Sequence, residues 1–201
     1  MAVDLAKYAE DNGIKFFLMN FTDLFGVQRS KLVPAAAIGE MQKNGAGFAG
    51  FAAWLDMTPA DPDMFAVPDA DAVIQLPWKP ELAWMPGDLY MAGEKVAQAP
   101  RNVLQSVIAQ AADKGLLMKA GVEAEFHLIN EDGSAVSDPR DIQEKPCYDQ
   151  SALMRRYDVV AEICTTMIQL GWSPYQNDHE DANGQFEINW DYYDSLKTAD
   201  Q

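Results

Sequence analysis

Two short stretches concentrate the side chains able to do chemistry. GVEAEFHL, Gly121 to Leu128, holds Glu123 and Glu125 two residues apart, and DHEDANGQFEINW, Asp178 to Trp190, holds Glu180 and Glu187 on either side of an Asn-Gly pair. In an extended strand, residues i and i+2 share a face, so Glu123 and Glu125 point one way while Val122, Ala124, Phe126 and Leu128 point into a core. Two carboxylates on one strand face repel each other, and a divalent cation is the usual partner that offsets this. In the second stretch Phe186, Ile188 and Trp190 alternate with Gln185, Glu187 and Asn189, giving one apolar and one polar face. Asn183-Gly184 is a hairpin signal, and strands flanking it would set Glu180 across from Glu187. Four glutamates from two strand systems make an all-oxygen site that suits Mg²⁺ or Mn²⁺ and not zinc. Solvated outer faces of two sheets would show the same spacing, so spacing alone leaves both readings open.

The elements that must position these acids are legible as an α+β chain. MAVDLAKYAEDNG reads as a helix closed at Gly13. Ile14 to Phe21 and Val27 to Val33 read as a hairpin around DLFG, and Pro34 opens a short helix over Ala35 to Lys43. GAGFAGFAAW reads as a loop with aromatic anchors, and the acidic, Pro-rich segment Asp56 to Asp71 as a further loop. Ala72 to Leu76 and Asp88 to Met91 read as strands. At APRN the texture changes: Asn102 is a candidate N-cap for a helix over Val103 to Lys114, and the domain boundary is placed here, giving domains 1–98 and 99–201. Leu116 to Ile129 reads as a strand region and Asn130 to Ser134 as a turn. Ser151 to Leu170 reads as one amphipathic helix, followed by strands Tyr175 to His179 and Gly184 to Trp190. Asp194 or Ser195 caps a last helix.

The two histidines are read as subsidiary. His127 is expected on the core side or at an edge of its strand. His179 is expected on the face opposite Glu180, from which a supporting contact to the acids is open. Cys147 and Cys164 fit no zinc or CxxC spacing and read as reduced thiols.

Bulk charge narrows the partners. Fifteen basic residues face 31 acidic ones, for a net charge of −16, which disfavours nucleic acid and anionic membrane surfaces. No apolar run approaches the length of a membrane span, and the N-terminus has neither a basic n-region nor an apolar h-region. A cytoplasmic location is expected.

GVEAEFHL together with DHEDANGQFEIN resembles the paired metal-binding motifs of the glutamine synthetase family. DLFGVQRSKLVP resembles that family's N-terminal hairpin, PDMFAVPDADAVIQLPW the segment that follows, and APRNVL the entry to its catalytic domain. GAGFAG, KPCYD and HEDANGQFEIN together are most similar to the type III branch, which includes γ-glutamylmethylamide synthetases. The resemblance implies a small β-grasp-like domain followed by the first part of a catalytic domain with an antiparallel sheet and helices. It implies Glu125, Glu180 and Glu187 as ligands of one Mg²⁺ or Mn²⁺ ion and Glu123 as a ligand of a second, with Tyr175 and Tyr192 near ATP. The implied substrates are L-glutamate, ATP and ammonia or methylamine, and the implied assembly is a homo-oligomer of stacked rings, a dodecamer.

Two departures qualify the resemblance. Where the family loop reads Phe-Asp-Gly, with the aspartate binding ammonium, this chain reads Phe48-Ala49-Gly50. Ala49 removes the cation's charge partner, which points to a small alkylamine such as methylamine, unless Asp56 or Asp63 fills the role. The chain is also about half the length of family members, and the expectation is a fragment with an incomplete metal site and little activity alone. The rival expectations are an ordinary ammonia-using glutamine synthetase, a non-catalytic regulatory or metal-binding protein, and a calcium module. The last is disfavoured because the DPD and DAD repeats lack an EF-hand's central glycine and terminal glutamate.

Overall fold

The first helix, α1 (Leu5–Asn12), begins where the Asp4 carboxylate accepts the amide N–H groups of Ala6 and Lys7, and ends where Gly13 turns to φ +67°. Both are the devices that satisfy helix ends. The computed structural model to which it belongs describes residues 2–201 and has an α+β architecture in two units: residues 2–118 with 194–201, and residues 119–193.

In the first unit β1 (Phe16–Thr22) and β2 (Gln28–Pro34) form the antiparallel hairpin expected, with Phe16 opposite Pro34 and Thr22 opposite Gln28. Asp23 closes its DLFG turn, accepting the N–H groups of Phe25 and Val27 on one oxygen and the Arg29 guanidinium on the other. A 3-10 turn leads into α2 (Ile38–Asn44). The two segments read as loops each contribute a strand: β3 (Ala46–Phe48) pairs with β4 (Met64–Pro68). The reason is burial of Ala46, Met64 and Ala66 on one face, a short alternation masked by neighbouring Gly, Pro and Asp. β5 (Ile74–Gln75), β6 (Leu82–Met91) and β7 (Glu94–Lys95) complete a seven-stranded sheet of order β2-β1-β6-β4-β3, with β5 and β7 also on β6. The β1–β6 pair is parallel. β6 starts six residues earlier than expected because Ala83 and Met85 join Leu5, Phe17, Met19 and Ile38 in the core.

α3 (Pro100–Ala112) begins at Ala99, with Pro100 in its first turn. Asn102 is therefore not the N-cap. It is buried inside the helix, and its amide donates to the carbonyls of Leu89 (2.8 Å) and Val96 (2.9 Å), which fixes α3 to the first unit.

The second unit contains β8 (Lys119–Ala120), β9 (Glu123–His127), α4 (Gln150–Arg155), α5 (Tyr157–Gln169), β10 (Pro174–His179) and β11 (Gln185–Trp190). The expected single long helix is broken at Arg156 (φ −122°, ψ 16°). That side chain instead reaches the loop at Ser137, donating to its Oγ (3.1 Å) and carbonyl (2.5 Å). Strands β9, β10 and β11 form an antiparallel sheet of order β10-β11-β9. Phe186, Ile188 and Trp190 on one face pack with Val160 and Met167 of α5, joined by Phe126 and Cys164. Both cysteines are free thiols. β12 (Tyr193–Asp194) pairs with β8, and α6 (Ser195–Asp200) returns the chain to the first unit. Among the described residues no helix is long and apolar enough to cross a membrane.

Candidate metal centre

Packing of one sheet face on α5 leaves the other face to the polar half of each strand. Across the β11–β9 ladder Glu187 lies opposite Glu125, and Asn189 opposite Glu123; across β10–β11 Asp178 lies opposite Glu187. Directly paired residues share a face, so all these acids project from the same side.

The hairpin differs from expectation at one point. Glu180 does not pair with Glu187, because β10 ends at His179 and Asp178 takes that place; the Glu180 N–H donates to the Gln185 carbonyl at 2.9 Å. The Glu180 side chain nevertheless reaches back to Glu187. Asp178, Glu180 and Glu187 each offer a carboxylate oxygen, all within 4.8 Å of one another. Asp178 is the site residue the sequence reading missed. Its signal was present: it stands two residues before Glu180, as Glu123 stands before Glu125.

Glu187 is 7% exposed and accepts the Asn189 amide at 2.7 Å. Burial first, then Glu180 and the charges of Asp178 and Glu123, raise its carboxyl above the usual range. Burial and the charge of Glu180 raise Asp178 likewise. Burial and neighbouring like charge both disfavour the ionised form. Asp178 Oδ1 is buried with no hydrogen-bond partner. An all-oxygen, anion-rich cluster with an orphaned carboxylate oxygen fits a hard divalent cation. Glu123 and Glu125 lie outside the tight cluster. Both are exposed, and Glu125 accepts the Gln185 amide at 2.5 Å.

His179 lies on the face opposite the acids, as expected, across from Phe186, whereas His127 does not turn to the core. His127 lies opposite Gln185 on the polar face and is exposed, since residues 123, 125 and 127 share one parity. His179 is fully buried, with Nδ1 2.7 Å from the Pro146 carbonyl and Nε2 2.6 Å from Asp141 Oδ2. Asp141 also accepts the Gly184 N–H (2.6 Å) and the Asn183 amide (3.1 Å). Burial opposes ionisation of Asp141, but these bonds outweigh it and hold its carboxyl below the usual range. The DANG turn is thus pinned from beneath. Gly184 has φ +75°, and a Cβ there would sit 2.6 Å from Val136 Cγ1. Nothing in the local sequence marks Asp141, 38 residues before His179, for this role.

Tyr148 is a second residue the sequence did not mark. It has φ +65°, an unusual backbone for a bulky side chain, and its N–H donates to the His179 carbonyl at 2.7 Å. Interaction with Cys147, followed by the charges of Asp178 and Glu180, raises its hydroxyl pKa. Tyr175 and Tyr192 line one open groove of about 580 Å³ together with Lys119, Glu123 and Asn189. Ala49 lies in the first unit, half-buried at the start of a 3-10 turn, and both Asp56 and Asp63 are exposed.

A family model, glutamine synthetase catalytic domain, matches residues 97–201. The chain belongs to the glutamine synthetase family. It is 65% identical over 201 residues to glutamine synthetase of Rhizobium leguminosarum bv. phaseoli, covering 100% of this chain and 46% of that protein. It is 37% identical over 198 residues to glutamate–methylamine ligase of Methyloversatilis universalis, covering 96% of this chain and 45% of that protein. A solved GmaS/ADP complex aligns with TM-score 0.96 and 64% identity, over 98% of this chain and 46% of that one. The chain spans about half the length of the curated relatives it matches. Glutamine synthetase-family ligases normally use ATP and a divalent metal, with glutamate and ammonia or an amine as the other substrates.

Proposed function

We propose that this chain carries the metal- and nucleotide-binding part of an ATP-dependent ligase that joins ammonia or a small alkylamine, with methylamine favoured, to the γ-carboxylate of L-glutamate. The observation that carries the reading is the meeting of Asp178, Glu180 and Glu187 within 4.8 Å on the open face of the β10-β11-β9 sheet. Glu180 and Glu187, with Asp178 beside them and Glu125 across the β9–β11 ladder, would hold one Mg²⁺ or Mn²⁺, and Glu123 a second. Bound there, such ions supply charge neutralisation for a phosphoryl group in transfer.

In the proposed reaction a γ-carboxylate oxygen of glutamate takes the terminal phosphoryl group of ATP and ADP leaves. The amine nitrogen then attacks the γ-carbon, phosphate departs, and the nitrogen gives up a proton as the amide forms. The chain's own residues bind and orient. The carboxylates fix the cations, Asn189 fixes Glu187, and Tyr175 with Tyr192 offers aromatic faces to a base.

The preference for methylamine rests on Ala49 and on likeness to glutamate–methylamine ligase. The higher identity to proteins named glutamine synthetase supports the second reading, an ammonia-using enzyme. A cytoplasmic homo-oligomer of stacked rings goes with either. The chain alone, half the length of its relatives, is expected to show little turnover. The test is to assay amide formation and ADP release with ammonium and methylamine, using the chain together with any coding sequence that follows Gln201. ATP-dependent turnover with kcat/KM higher for methylamine supports the reading. Equal or better kcat/KM with ammonium sinks the methylamine preference, and no turnover with either amine sinks the ligase.

A further inference from the structure

The groove on the second unit has three charged side chains in its lining: Lys119, Glu123 and Asp191. Glu123 projects from the same sheet face as the carboxylate cluster. Lys119 lies four residues earlier, so the chain can separate the two by at most about 14 Å, a span on the scale of a nucleoside triphosphate. With phosphates at the Glu123 end, the base falls at the Lys119 end, where Tyr192 presents a ring that is 63% exposed.

One face of that ring already has a partner. The Lys119 ammonium sits 5.2 Å from its centroid. Glu123 and Asp191 line the same groove. Among the described residues Lys119 makes no ion pair, and its contact is the ring face.

We propose that Lys119 is a built-in cover for the base end of the nucleotide groove, holding the face of Tyr192 until a base displaces it. The inference rests on the ligase reading above. The exchange runs in the required direction. A base stacked on an aromatic side chain gains roughly 5- to 150-fold in affinity, whereas an exposed cation over a ring is held by only about 2- to 5-fold. The cover therefore yields to a nucleotide while lowering its apparent affinity, because part of the stacking gain replaces a contact already made.

The test is calorimetric titration of the 201-residue chain with MgADP, comparing wild type, Lys119→Met, Tyr192→Leu and the double variant. Both residues are exposed, so neither change should disturb folding. Lys119→Met is expected to bind MgADP about 2- to 5-fold more tightly, the worth of the lost cation–ring contact. Charge alone predicts the opposite sign, since the phosphates lose a nearby cation. In the Tyr192→Leu background the gain should vanish. Wild-type binding with equal or weaker binding by Lys119→Met overturns the cover and leaves the ligase reading standing. A gain that persists without the Tyr192 ring also overturns it. Failure of every form to bind MgADP removes the nucleotide groove, and with it both readings.

Discussion

Asp178 lies directly across the β10–β11 ladder from Glu187, two carboxylates in register on one face of a sheet. Glu180 folds back toward the same point. Such a pairing of like charges is unfavourable by itself, and a cation between the strands would offset it.

Metal affinity should depend on Glu187 above the other acids, because it is the buried member of the cluster. Glu187→Gln is expected to weaken Mn²⁺ binding by about 10- to 100-fold or more, on the scale seen when metal-site partners are removed. At metal concentrations a hundredfold above Kd, wild type should gain about 2.7 kcal/mol of stability. Thermal melts with and without Mn²⁺ check both; an equal Mn²⁺-induced rise in Tm for the variant would contradict the assignment.

Acidity gives a second test. Asp178 and Glu187 have folded pKa values above their ordinary 3.8 and 4.5. Stability from such raised carboxyls is fully present below the ordinary value and lost as pH rises through the folded value. With metal removed by EDTA, an Asp178→Asn, Glu187→Gln double variant should therefore be more stable than wild type at pH 7. The gap should close as pH falls toward about 4. A constant gap across that window would show that charge repulsion is not its origin.

The turn beneath the site depends on Asp141. Asp141→Ala would leave His179, the Gly184 N–H and Asn183 without a shared acceptor in a buried setting. Loss of one partner from such a group typically costs about 3–5 kcal/mol. Urea denaturation should show a lower midpoint, and Mn²⁺ affinity should fall as well, because Glu180 and Glu187 flank the turn. Unchanged Mn²⁺ affinity would mean that the acids keep their places without the pinned turn.

Restoring a carboxylate at Ala49 tests amine choice. A charge-assisted hydrogen bond to ammonium is worth about 1.5–3 kcal/mol, so Ala49→Asp should raise relative kcat/KM for ammonium over methylamine by about tenfold or more. A ratio that does not move would dissociate this loop from the amine.

The ladder that carries the acids was legible because its period-2 alternation is clean: Phe186, Ile188 and Trp190 inward, Glu187 and Asn189 outward. Register was not legible, since it depends on where the hairpin closes, and a closure at His179–Phe186 put Asp178 rather than Glu180 across from Glu187. His127 was misplaced by parity alone. β3 and β4 were hidden because Gly, Pro and Asp dominate their surroundings while burial of Ala46, Met64 and Ala66 is a tertiary effect. Asn102 shows the same limit: a good N-cap residue was used as a buried clamp on Leu89 and Val96. Asp141 and Tyr148 reach the site from a loop with no periodicity, so only the folded chain reveals them.

Arg101 of α3 bonds Asp69, Asp88 and, across 99 positions of sequence, Asp200 of α6. In sequence, residues 119–193, the second unit, lie between those two helices. While the guanidinium holds, that stretch is a closed ring even when it is locally melted, and a ring has fewer disordered states than a free-ended chain. The clasp therefore acts as a reversible counterpart of a long-range cross-link. Such a clasp would shorten the search by which the strands between its two ends find one another again.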